Sequence, residues 1–172
     1  EQGHIVLGFP GLAMGDPDEP TLDVLCSILG GQAGRLFESI RERRGLAYQI
    51  GANAGEHADG GHLVVYAAAS QDKLDAAHEA ILAELDAFVA EPASKAELTR
   101  AKRWLLGQFE SGMQRRSRVA SRLVFGTAYE LGADHYLRYP ERVDAVDRER
   151  LAALAKRLLD PRRRVTVLVR AP

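Results

Sequence analysis

Arginine, tyrosine and histidine are the side chains here whose spacing could do chemistry. The stretch RERRGLAY puts Arg41, Arg43 and Arg44 within four positions, and Tyr48 follows seven residues after Arg41. An arginine offers five donors in a rigid fork to carbonyls or a carboxylate. A tyrosine hydroxyl can donate to an oxygen on which negative charge develops. Taken alone, the pair also has a plain structural reading. Cations favour the negative end of a helix by ~0.3–1 kcal/mol each, and tyrosines are common in strands.

The five histidines test for a metal. A helical zinc pair needs two of them four apart, with a glutamate between. Four residues after His4, His57, His62, His78 and His135 stand Gly8, Gly61, Tyr66, Leu82 and Tyr139, so no such pair exists. His78-Glu79 begins the pattern, but Leu82 occupies the second ligand position. His57 and His62 flank a glycine turn and could be only weak ligands. The histidines otherwise read as solvated turn residues, with His78 at the edge of a helix's apolar face. No G-x-S-x-G elbow is present. The single Cys26 permits no intrachain disulfide and falls in an apolar helical pattern, the setting of a buried, inert thiol.

These residues must be positioned by the elements around them. His4–Phe9 reads as a buried strand ending at Pro10-Gly11. Asp16 to Glu19 open a helix carrying Leu22, Leu25, Cys26 and Leu29, which Gly30-Gly31 ends. A second helix is expected from about Ala33 to Arg44, with Leu36, Phe37 and Ile40 buried, and Gly45 suits the left-handed residue beyond it. From Leu46 to Ala54 the period changes to two, with Leu46, Tyr48 and Ile50 on one face. Asp59-Gly60-Gly61 is a turn, and His62–Ala69 completes an antiparallel hairpin. A helix over 72–90 follows, with Leu74, Ala77, Ile81, Leu85 and Phe88 inward. Ser94 and Glu97 form a capping box before a helix with Leu98, Ala101, Leu105 and Phe109 inward. Residues 111–135 are expected to be helical in part. Asp147 caps a helix stopped by Asp160-Pro161, and Val165–Val169 is a closing strand. Regular strand–helix alternation is absent. The order predicts an α+β fold in two layers, a mostly antiparallel sheet with helices on one face.

The chain has 172 residues, suiting a single domain over 1–172. Its 46% hydrophobic and 27% charged residues are ordinary for a soluble globular protein. A net charge of −1 argues against nucleic acid as a partner. No apolar run approaches the roughly 20 residues of a membrane span. The first residue is Glu1, with no charged leader, as expected of a domain cut from a longer protein or of a processed chain.

The run GRLFESIRERRGLAY, with the Gly30-Gly31 before it, resembles the second half of the pitrilysin-like zinc peptidases, the inverzincin family. The likeness covers Gly30 and Gly31, then Arg35, Leu36 and Phe37, then Arg41 and Glu42, then Gly45 to Tyr48. The opening GHIVLGFPG is also similar to that family's second-half start. Ala33-Gly34 stands where the family has a serine pair, and the H-x-x-E-H motif is absent. The resemblance implies why. Such enzymes are clamshells of two homologous halves, and the first carries the zinc ligands and the glutamate base. The second supplies an arginine and a tyrosine that reach across the chamber, and Arg41 and Tyr48 fall on those positions. This implies no cofactor in this chain and zinc in a homologous half, in the same polypeptide or a separate subunit. It further implies a peptide or unfolded polypeptide as substrate and catalysis only with that half. The oxygen of the attacked carbonyl would gain charge, and Tyr48 would donate to it. Losing one such donor typically costs ~2.7–4 kcal/mol.

Three functional readings follow. The first is the substrate-binding half of a zinc metalloendopeptidase, with Arg41 and Tyr48 catalytic. The second is an inactive homologue serving as a structural or assembly subunit. The third is a small α+β binding domain unrelated to proteolysis. A homodimer is a further expectation, because an isolated half exposes the face meant for its mate. The expected compartment is bacterial cytoplasm or periplasm.

Overall fold

The computed structural model describes residues 2–171. It has the α+β architecture read from the sequence: four antiparallel strands, with the helices against one face of the sheet. The strands are β1 (Gln2–Pro10), β2 (Gln49–His57), β3 (Gly60–Ser70) and β4 (Val165–Val169), in the order β2-β3-β1-β4. The register sets one apolar face. Ile5 stands opposite Ala67 and Leu7 opposite Val65, while Ile50 and Ala52 face the same two residues from the other side.

β1 corrects one expectation. Its apolar run suggested a strand buried on both faces. Only Gly3, Ile5, Leu7 and Phe9 are fully buried, whereas His4, Val6, Gly8 and Pro10 are half-buried. The helices cover one face alone, so a run of period one is read by the fold as period two. On the other face Val165, Val167 and Val169 are exposed, and His4 Nδ1 lies 2.9 Å from the Tyr66 hydroxyl.

Helix α1 (Glu19–Gly30) is central, packing on β2 and on two other helices, α3 (Lys95–Met113) and α6 (Arg148–Leu158). Its buried residues, including Leu22, Val24, Leu25 and Leu29, occupy a little over half of its circumference. Gly30 is required by this packing: a Cβ there would fall onto the Ala52 backbone nitrogen. In α2 (Leu74–Ala90) the five residues expected inward are all buried. The capping box of α3 is present, Ser94 and Glu97 each taking the other's backbone N–H. Leu98 and Ala101 are buried, but Leu105 and Phe109 are half-buried. Two further helices, α4 (Arg116–Ala128) and α5 (Tyr139–Asp144), close one side. Among the described residues no helix is long and apolar enough to cross a membrane.

Candidate functional site

The segment 35–48 departs from its expected form at both ends. The second helix begins at Arg35 rather than Ala33, and from Phe37 to Arg43 it is a π-helical turn. The wider turn brings Ser39 into the interior beside Leu36 and Ile40 and leaves Phe37 half-buried. The following strand starts at Gln49, three residues later than its alternation suggested. Tyr48 therefore does not share the buried face of Ile50; its side chain is 64% exposed.

The backbone between the two candidate residues is nonetheless tightly held. Gly45 has a φ of +59°, which reverses the chain so that the Leu46 N–H donates to the Ile40 carbonyl at 2.9 Å and the Gly45 N–H to the Arg41 carbonyl at 3.1 Å. Lys73 Nζ donates to the Gly45 carbonyl at 3.0 Å. The Tyr48 N–H donates to the Ala68 carbonyl at 2.8 Å, docking the segment to β3.

The side chains carried by this backbone are lightly engaged. The Arg41 guanidinium lies 4.9 Å from the Phe37 ring centroid, and its Nε is 3.8 Å from Glu42. Neither it nor the Tyr48 hydroxyl makes a side-chain hydrogen bond among the described residues.

Arg35, from the same stretch of sequence, is in the opposite state. It donates through Nε and a terminal nitrogen to both oxygens of Glu97, at 2.6 and 3.1 Å, and sits 4.8 Å from the Phe88 ring. That hydrogen bond is the main reason the Glu97 carboxyl is held down to about 2. Glu97 thus caps α3 and anchors the start of the π-helical segment together. The sequence identified its capping role but not this one.

A half-buried polar network lies elsewhere, and sequence reasoning missed it. The Tyr139 hydroxyl donates to Asp23 at 2.7 Å. Arg142 donates to Glu19 at 3.3 Å and meets His135 Nε2 at 2.9 Å. Desolvation pushes Asp23 up to about 6 and Glu56 up to about 8, the latter aided by Glu19 and Asp23 nearby. His135 is therefore a half-buried network member, and His4 a strand residue bonded to Tyr66, rather than solvated turn residues. The one available signal was the i, i+4 pair Glu19 and Asp23 on an otherwise apolar helix. Cys26 is half-buried, and desolvation pushes its thiol well above the usual range, as an inert thiol requires.

His57 and His62 have ring centroids 5.6 Å apart, but among the described residues no three His, Cys, Asp or Glu side chains are grouped to hold a metal ion. Zinc does not fit the donors present.

Residues 1–105 match the family described as the peptidase M16 inactive domain. The chain is 30% identical over 164 residues to the uncharacterized zinc protease YmxG of Bacillus subtilis, which covers 92% of this chain and 39% of that protein. It is 33% identical over 172 residues to an uncharacterized zinc protease of Mycobacterium leprae, covering 98% of this chain and 38% of that one. Among solved structures, the peptidase M16 inactive domain from Pseudomonas fluorescens superposes with a TM-score of 0.89 at 21% identity, over 99% of this chain and 42% of that chain. A protease from Helicobacter pylori gives 0.90 at 20% identity, over 99% and 41%. At such identities the structural likeness speaks for the fold. The chain spans about two-fifths of the length of these relatives.

Proposed function

Because the chain belongs to the family of peptidase M16 inactive domains, we propose that it is the substrate-binding half of a zinc-dependent metalloendopeptidase. In this reading the zinc ligands and the base belong to a homologous half, in the same polypeptide or in a second subunit. The relatives' greater length and their naming as zinc proteases support it. In this reading the contribution of this chain is to bind and orient the peptide.

One observation carries the proposal: side chains with free donors stand on a backbone that is itself pinned. Tyr48 donates its hydroxyl hydrogen to the carbonyl oxygen of the scissile bond as charge builds there. Arg41 directs its fork to a neighbouring substrate carbonyl or to a carboxylate. Because the bonds at Gly45, Leu46 and Tyr48 hold the backbone, little reorganisation is needed when the charge develops. β2 is an edge of the sheet, so an extended peptide can add alongside it as a strand, held by its backbone whatever its sequence.

The test compares this chain alone with the chain joined to its H-x-x-E-H half. Alone, it should retain no stoichiometric zinc after dialysis and cleave no member of a broad peptide panel. Joined, it should cleave. Zinc and cleavage in the isolated chain would sink the proposal. Inactivity of the joined form on the whole panel would favour the structural or assembly role.

A further inference from the structure

We infer that the cleft between α4 and α5 binds a small organic anion, an apolar or aromatic body carrying one carboxylate. The cleft has a volume of about 240 Å³, small beside the ~300–1,000 Å³ of drug-sized sites. Phe125, Leu131 and Tyr136 supply apolar wall, and Arg118 and Arg122 line it from one side, a helical turn apart on α4. Neither Arg41 nor Tyr48 borders it, so the inference stands apart from the proposed peptidase role.

Arg122 is the central observation. Its guanidinium carbon lies 4.9 Å from the Phe109 ring centroid and 5.8 Å from that of Tyr139, so the group is held beside both rings. Its Nε is buried and has no hydrogen-bond partner among the described residues. Leaving a charged group with an unmet donor is costly, and an acceptor placed against the same guanidinium from the cleft would offset part of that cost.

The acids at hand are already engaged. Glu19 accepts from Arg142 and lies 3.9 Å from His135. Asp23 accepts from the Tyr139 hydroxyl. Glu19 also borders the cleft, but neither acid forms an ion pair with Arg118 or Arg122, so both guanidinium forks lack a carboxylate partner among the described residues. A planar carboxylate matches the guanidinium fork, and the aromatic wall suits an organic body better than a bare inorganic ion. Two sources share this chemistry: a free small acid, and the C-terminal carboxylate of a short peptide.

Titration calorimetry of the protein with four probes tests the inference: phenylacetate, acetyl-Ala-Phe with a free C-terminus, the C-terminal amide of that dipeptide, and inorganic phosphate. At least one of the two carboxylates should saturate with a Kd of about 1 mM or tighter, and the amide should be at least tenfold weaker. Tighter binding of the dipeptide identifies a peptide end, and tighter binding of phenylacetate a free acid. Arg118→Gln and Arg122→Gln should each weaken binding at least tenfold. Arg118 is exposed, so its variant keeps the test alive if Arg122→Gln does not fold. Failure of both carboxylates to saturate, amide binding equal to the acid, inorganic phosphate binding as tightly as the carboxylates, or indifference to Arg118→Gln would each overturn the inference.

Discussion

Arg35 and Arg41 lie six residues apart in one stretch of sequence, and they end in opposite states. Arg35 is bidentate on Glu97 and stacked on Phe88, with 19% of its side chain exposed. Arg41 also lies against a ring, that of Phe37, but it is 46% exposed and only loosely near Glu42. The difference is one of satisfaction. A guanidinium whose donors are filled by the fold holds the fold together. One whose donors are free, on a backbone held by several hydrogen bonds, is available to something outside. Residue type and spacing do not separate the two states, whereas their hydrogen bonds do.

The comparison can be broken by mutation. Arg35→Met should have the largest effect on stability, about 2 kcal/mol, because it strips a charged acceptor of its partner; denaturant unfolding measures it. Loss under half of that would mean that Arg35 is as dispensable as Arg41. Gly45→Ala should come next. A Cβ there meets nothing within 4 Å, so the cost comes from the left-handed backbone alone, about 1–2 kcal/mol.

The Arg35–Glu97 pair also predicts a pH response. The folded pKa of Glu97 is depressed from 4.5 to about 2, so its contribution is fully present above pH 4.5 and is lost as pH falls towards 2. Over that window wild type should lose more stability than Arg35→Met, as read by unfolding at several pH values. Parallel curves would detach the depression from Arg35. Arg41→Gln should be the mildest, shifting stability by no more than about 0.5 kcal/mol. A larger loss would make Arg41 a structural residue like Arg35.

What was legible in the sequence was local. The period of α2, the Ser94–Glu97 box and the Asp147 cap are each written within a few residues, and each is present. The π-helical turn was not legible, because Leu36, Phe37 and Ile40 fit an α-helix equally well. The later start of β2 was not legible either, and it leaves Tyr48 outside the alternation that had grouped it with Ile50. The network around Asp23 was hidden for another reason. Tyr139 and Asp23 are 116 residues apart and Arg142 and Glu19 are 123 apart, and no local pattern encodes such partners. At the candidate site the motif located Arg41 and Tyr48, but only the fold distinguished Arg41 from Arg35.

The most direct measurement is peptide hydrolysis by the chain joined to its zinc-bearing half, wild type against Tyr48→Phe, with melting temperature and zinc content followed in parallel. The change removes one exposed hydroxyl. The account predicts a fall in kcat of ~100-fold or more with melting temperature and zinc content unchanged. Unaltered kcat would contradict it and leave RERRGLAY as a helix end running into a strand.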